Sequence, residues 1–176
     1  MPYRVPRMDE LESTAWLELV TVLELLPAAL DAQLQQASNI THFDFTVLSL
    51  LRFAPHRVLQ MKELAVMTNS TLPRLSHAVS RLEGRGLLER LPCPGDKRAT
   101  NVHLTDGGRR QVIRATPGHI AHVRRLVIDQ LDRDDIAALG RIAGKIARNL
   151  DPTDRMANAL GASSATQPVT VSGTRA

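Results

Sequence analysis

The stretch from Met61 to Leu104 constrains the fold most, because helix starts, helix ends and turns follow one another there at close spacing. Met61 to Met67 puts Leu64 and Ala65 on one face and predicts a short helix, with Asn69 and Ser70 as the turn after it. Thr71 has the hydroxyl of an N-cap, and Pro73 falls in the next first turn, where its missing N–H removes no hydrogen bond. Leu75, Ala78, Val79 and Leu82 then recur at helical spacing until Gly86 closes the run. Leu87 to Leu91 and Thr100 to Leu104 are short extended runs flanking Pro92-Cys93-Pro94-Gly95-Asp96-Lys97-Arg98, which predicts a hairpin with a long tip. Helix, tight turn, helix, hairpin is the order of a winged helix-turn-helix.

The flanks read as longer helices. From Met8 to about Ala37, Leu11, Ala15, Leu19, Val22, Leu26, Leu30 and Leu34 form one apolar stripe, widened by Trp16, Leu23 and Leu25. Pro27 predicts a kink between Leu23 and Pro27. Thr41 opens a second helix with Asp44 in its first turn, Phe45, Val47, Leu48 and Leu51 inside, and Pro55 at its end. Thr105 caps a helix running to about Gln130 with a kink at Thr116-Pro117-Gly118. Asp132 and Asp135 start the last one, whose apolar face is Ile136, Leu139, Ile142, Ile146 and Leu150. So small a winged unit cannot bury both outer stripes, so a second copy of the chain is expected to cover them. The expected fold is mainly α with a small β-hairpin wing, a winged helix-turn-helix carrying a helical dimerisation region. Its expected parts are an N-terminal dimerisation helix over 1–40, the winged DNA-binding unit over 41–104, C-terminal dimerisation helices over 105–152 and a disordered tail over 153–176.

Composition supports an aliphatic, helical core, since 43% of the 176 residues are hydrophobic but only 3% aromatic. No apolar run is expected to reach the roughly 18 residues of a membrane span, and the amino terminus does not read as a secretory signal. The single cysteine, Cys93, excludes an internal disulfide framework and fits the cytoplasm. The net charge of +4 is unevenly placed: Arg52 to Arg114 holds twelve Lys and Arg against five Asp and Glu, a local +7, and the rest is −3. A basic centre between mildly acidic flanks suits an anionic polymer, and double-stranded DNA is the expected partner.

The residues left outside after burial then suggest roles. On the second helix of the motif these are Pro73, Arg74, Ser76, His77, Ser80 and Arg81. Arg74 has the reach and fork for guanine O6 and N7, while Ser76 and His77 can bond base edges or phosphates. Ser70 and Thr71, at a positive helix start, suit a phosphate. Lys62, Arg85 and Arg90 would add backbone contacts. At the hairpin tip, Asp96 would hold Arg98 for entry into a narrow minor groove, with Lys97 beside it.

Several of these runs together resemble the MarR family of bacterial regulators. They are Met61-Lys62-Glu63-Leu64-Ala65, Arg81-Leu82-Glu83-Gly84-Arg85-Gly86-Leu87-Leu88-Glu89-Arg90, Asp96-Lys97-Arg98 and Leu104-Thr105-Asp106-Gly107-Gly108. They match the family's Leu-Glu-x-x-Gly-Leu step into the wing, its Asp-x-Arg tip and its Leu-Thr-x-x-Gly entry to the next helix, and the likeness covers about Met8 to Asp151. The resemblance implies a triangular homodimer in which the first, fifth and sixth helices intertwine, the fourth reads DNA and Arg98 is the wing-tip arginine. It also implies a cleft for a small, often aromatic or phenolic effector, with Trp16, Leu23, His42, Phe45 and Leu48 as its candidate lining. Pro27 and Pro117 depart from the pattern, so the cleft's shape does not carry over in detail.

Other chemistry finds little support. Cys93 has no adjacent basic residue and no second cysteine to resolve a sulfenic acid, so packing beside two prolines is the plainer reading. His119 and His122 have a metal-compatible spacing but no nearby cysteine and only distant acids to complete a site, so they read as plain surface or pocket histidines, and Met61 and Met67 read as core. Neither a phosphate-cradling glycine loop nor a nucleophile–base–acid set is visible, so no enzyme, metal or cofactor is expected. A dimeric repressor on a pseudo-palindromic operator, released by an effector, is the expected function. The alternatives are a winged-helix protein-interaction module without DNA specificity, and an architectural DNA-binding protein.

Overall fold

The computed structural model describes residues 4–93 and 96–151, with the side chains of residues 96–98 outside that description. The roles expected for Asp96, Lys97 and Arg98, and the tail over 153–176, therefore lie outside the described residues and side chains. The elements run α1 (Glu10–Ser38), α2 (His42–Phe53), β1 (Val58–Gln60), α3 (Met61–Met67), α4 (Leu72–Gly84), β2 (Leu88–Cys93), β3 (Asp96–Leu104), α5 (Asp106–Leu126) and α6 (Arg133–Leu150). Short 3₁₀ turns at Pro55–Arg57 and Ile128–Gln130 follow α2 and α5.

Capping sets most of these boundaries. Asp9 with Glu12, Thr41 with Asp44, and Asp132 with Asp135 form reciprocal capping boxes at the starts of α1, α2 and α6. Gly86, at φ +68°, ends the turn after α4: its N–H donates to the Glu83 carbonyl and that of Leu87 to the Leu82 carbonyl, the paired pattern of a left-handed helix end. At the start of α5, Thr105 caps the Gly108 N–H at 3.0 Å and donates to the Gly86 carbonyl at 2.7 Å. A Cβ at Gly108 would sit 2.1 Å from the Leu87 carbonyl oxygen, so only glycine lets α5 start so close to the Leu87 backbone. Both α1 and α5 continue as helix through their internal Pro27 and Pro117.

The sheet is antiparallel with β3 between β1 and β2, and its register is irregular at Pro92/Cys93 near the wing tip. The sequence reading missed β1, which pairs Val58 with His103 and Gln60 with Asn101. One core unites Leu34 and Ile40 with Val47, Leu48, Leu51, Leu64, Leu75, Val79, Leu82, Val102 and Leu104, with Met61 and Met67 packed against it as expected. The end of α1 docks on this unit through polar contacts: Arg85 donates to the Asn39 carbonyl and Gln111 to that of Ser38, both at 2.7 Å.

Outside the core the long helices are bare. Only Ser13, Leu30 and Leu34 of α1 are buried in the protomer, and no residue of α6 is. Leu11, Trp16, Val22, Leu23, Leu25, Leu139, Ile142, Ile146 and Leu150 are exposed. An 18-residue window of α1 has a mean hydropathy of 1.4, enough by length and composition to cross a membrane. The expectation that no apolar run reaches that length is corrected: the stripe is wider than one core contact uses, because Leu, Val and Ala continue around the helix between its few charges.

Candidate nucleic-acid interface

Helix α4 is held from below and open above. Leu75, Ala78, Val79 and Leu82 anchor it in the core, and the Thr71 hydroxyl accepts from the Arg74 N–H at 3.4 Å. Pro73, Arg74, His77 and Ser80 are exposed, as are Thr71 and, on α3, Lys62, while Ser70 and Ser76 are half-buried. The turn between α3 and α4 places Asn69 in a left-handed conformation, and Ser70 shares a 2.8 Å hydroxyl hydrogen bond with Thr68.

Two arginines expected to contact DNA have partners inside the protein. Arg90 pairs with Glu83 and donates to the Ser76 carbonyl at 3.1 Å and the Ser80 hydroxyl at 2.9 Å, bracing β2 against α4. Arg81 donates to Asp44 at 2.6 Å, where the carboxylate side chain is only 2% exposed and the guanidinium half exposed. Asp44 also accepts from the Thr41 N–H at 3.1 Å, so one buried carboxylate starts α2 and holds α4. Arg74 takes a different place, its guanidinium lying 4.7 Å from the centre of the Phe43 ring. Between these groups a cleft of about 390 Å³ is lined by Asp31, Thr41, Phe43, Arg74, His77 and Arg81. Phe43 and Asp31 were not foreseen as site residues. An aromatic in a first helical turn and an acid that accepts from the His42 N–H eleven residues on carry no local signal.

The five residues suggested for an effector cleft do not gather into one. Leu48 is fully buried in the core of the protomer. Trp16 and Leu23 lie on the exposed part of α1. His42 and Phe45 do come together, around His119 of α5, whose ring centre lies 4.6 Å from that of Phe45 and 5.7 Å from that of His42, both at a tilt. Burial holds the pKa of both histidines below the usual value; Asp31 partly opposes this at His42, and His42 and His122 add to it at His119. Both therefore stay neutral near pH 7. Nδ1 of His119, Nε2 of His122 and Oε1 of Gln33 are buried without a hydrogen-bond partner among the described residues. Among the described residues no group of three or more His, Cys, Asp or Glu has the arrangement of a metal site.

A helix-turn-helix whose second helix projects a basic, polar face beside a three-stranded wing defines a winged helix-turn-helix of the DNA-binding kind. The model of the family described as MarR matches residues 38–99. Sco3205, a MarR family transcriptional regulator from Streptomyces coelicolor solved in complex with DNA, is 37% identical and superposes with a TM-score of 0.79 over 84% of this chain and 96% of its own. AbsC, a MarR family transcriptional regulator from the same organism, is 30% identical with a TM-score of 0.78 over 85% of this chain and all of its own. The HTH-type transcriptional regulator PecS of Dickeya dadantii (strain 3937) is 29% identical over 61% of this chain, a match that spans 64% of PecS. This chain belongs to the MarR family of transcriptional regulators.

Proposed function

We propose that the chain acts as a homodimer that binds a pseudo-palindromic operator, α4 lying in the major groove and the wing over the adjacent minor groove, and that it represses transcription by occupying the promoter. The observation that carries this reading is the outward face of α4, where Arg74, His77 and Ser80 stand free of the core on a helix fixed at both ends. Lys62 and Thr71 add phosphate contacts, and Arg98 is assigned to the minor groove. Arg81 and Arg90 act mainly by holding α4 in place. The apolar faces of α1 and α6 are assigned to a second copy of the chain rather than to lipid, since α1 and α6 lie bare at the same time. The parts are then a dimerisation helix over 1–40, the DNA-binding unit over 41–104 and dimerisation helices over 105–152. The cytoplasm is the compartment such a role requires.

An effector would act where α1, α2 and α5 meet. The unpartnered polar atoms of Gln33, His119 and His122, with the Phe45 ring lying against His119, support a small aromatic ligand with hydrogen-bonding groups, because each buried, unbonded group costs about 1–3 kcal/mol. Binding there would change the distance between the two α4 helices and lose both half-sites together.

Selection of duplexes from a random pool, followed by binding measured across salt concentrations, tests the reading. A two-fold related site with half-sites about one helical turn apart is expected, with affinity falling steeply as salt rises. Binding to random duplex equal to that of the selected site would instead mark an architectural protein, and a flat salt response would mark a protein-interaction module.

A further inference from the structure

Three successive residues at the start of α2 join it to α1 on one side and to two points of α4 on the other. The His42 N–H donates to Asp31 of α1 at 2.7 Å. Phe43 lies under the Arg74 guanidinium at 4.7 Å, and Asp44 pairs with Arg81 at 2.6 Å. Asp31, Phe43, Arg74 and Arg81 face one cleft. Phe43 itself is half-buried and packed against the core, so its ring is a fixed surface rather than a swinging one.

We infer that Phe43 is a specificity-determining positioning residue: its ring sets where the Arg74 guanidinium waits, and Asp31 ties that ring's helical turn to α1. The inference rests on the proposed DNA-reading role of Arg74. An arginine on the first turn of an exposed helix has several rotatable bonds, and a free one loses that freedom when it meets a base. The electron-rich face of a ring limits the guanidinium before DNA arrives, leaving its planar fork near the groove-facing side of α4. Phosphate-binding lysines need no such orientation, so the effect belongs to base reading and not to general attraction. The tether gives the device a second consequence. A shift of α1 pulls on the His42 N–H through Asp31 and moves the ring under Arg74, so a movement in the helical region reaches the reading residue across one turn of α2.

The full chain is compared with Phe43→Leu, Phe43→Tyr, Arg74→Ala and the Phe43→Leu/Arg74→Ala double variant on the selected operator and on random duplex. Phe43→Leu is expected to lower operator affinity by roughly 2- to 5-fold, the size of an exposed cation–π contact, with random-duplex affinity unchanged. Preference at the base pair read by Arg74 flattens in repeated selection, Phe43→Tyr restores both, and Phe43→Leu has no further effect once Arg74 is alanine. Equal loss on both duplexes, or additive losses in the double variant, would overturn the inference and leave Phe43 a packing residue. If Arg74→Ala leaves base preference intact while the wild-type chain binds its operator, the assigned reading role of Arg74 has failed, and this inference with it.

Discussion

Arg74 and Arg81 stand two turns apart on one helix, yet their surroundings give them different work. Arg81 neutralises a carboxylate that is almost wholly enclosed, so removing it strands a buried charge, whereas Arg74 rests on an aromatic face that tolerates its loss. Arg81→Ala should therefore destabilise the fold by about 1–3 kcal/mol in denaturant unfolding, the half-exposed guanidinium tempering the cost of the unpaired carboxylate. Arg74→Ala should leave unfolding unchanged and cost about 1–3 kcal/mol in operator binding, with relaxed preference at one base pair per half-site. Equal unfolding curves for the two variants would refute the distinction. A second consequence at this scale concerns protons. His42 and His119 bind protons less readily folded than unfolded, so the unfolded chain takes up more protons as pH falls below the ordinary histidine value. Their effect on stability is absent above that value, and stability declines as pH drops through it toward the lower folded values. His119→Phe, which keeps the ring against Phe45, should flatten the decline in melting temperature between about pH 7.5 and 5.5.

At the scale of elements, end chemistry explains nearly every boundary. The caps Thr41, Thr71, Thr105 and Asp132 each accept the expected backbone N–H, and the four apolar residues of α4 face the core as their spacing required. Replacing Thr71 with alanine should cost about 1 kcal/mol of stability and a similar part of operator affinity, since the cap sits at the end of α4 proposed to meet the groove. Substituting alanine for Gly86 should cost about 1 kcal/mol or more through its left-handed backbone, detectable as a lower unfolding midpoint with an unchanged slope. β1 was illegible because three residues cannot show an alternating pattern; it exists through its pairing with β3, on the far side of two helices in sequence. His56 and Arg57 lead into it at φ 53° and 60°, a strained approach held by the 2.7 Å ion pair from Arg57 to Asp106 at the start of α5.

For the whole molecule, the bare faces of α1 and α6 set the expectation that folding and association are one event. A chain lacking the residues before Ile40, or those after Asp132, should be aggregated or molten by size-exclusion chromatography and near-ultraviolet circular dichroism. A folded, DNA-binding monomer from either truncation would contradict the dimer. The intact protein should show a melting temperature that rises with its concentration.

Local chemistry, which acts over three or four residues, was enough to place the helix caps, the α3–turn–α4 unit, the glycine that ends α4 and the outward polar face of α4. The same reasoning named Asp44 as a helix-start residue and Arg81 as an exposed base, correctly for each alone. Their 2.6 Å pairing, the rest of Arg74 on Phe43, the gathering of His42 and Phe45 around His119, and the full burial of Leu48 were decided only by tertiary packing. The physical reason is reach: capping and periodicity repeat within a few residues and leave a local pattern, while these contacts join residues 31 to 77 positions apart and depend on how the common core sets the distances between them.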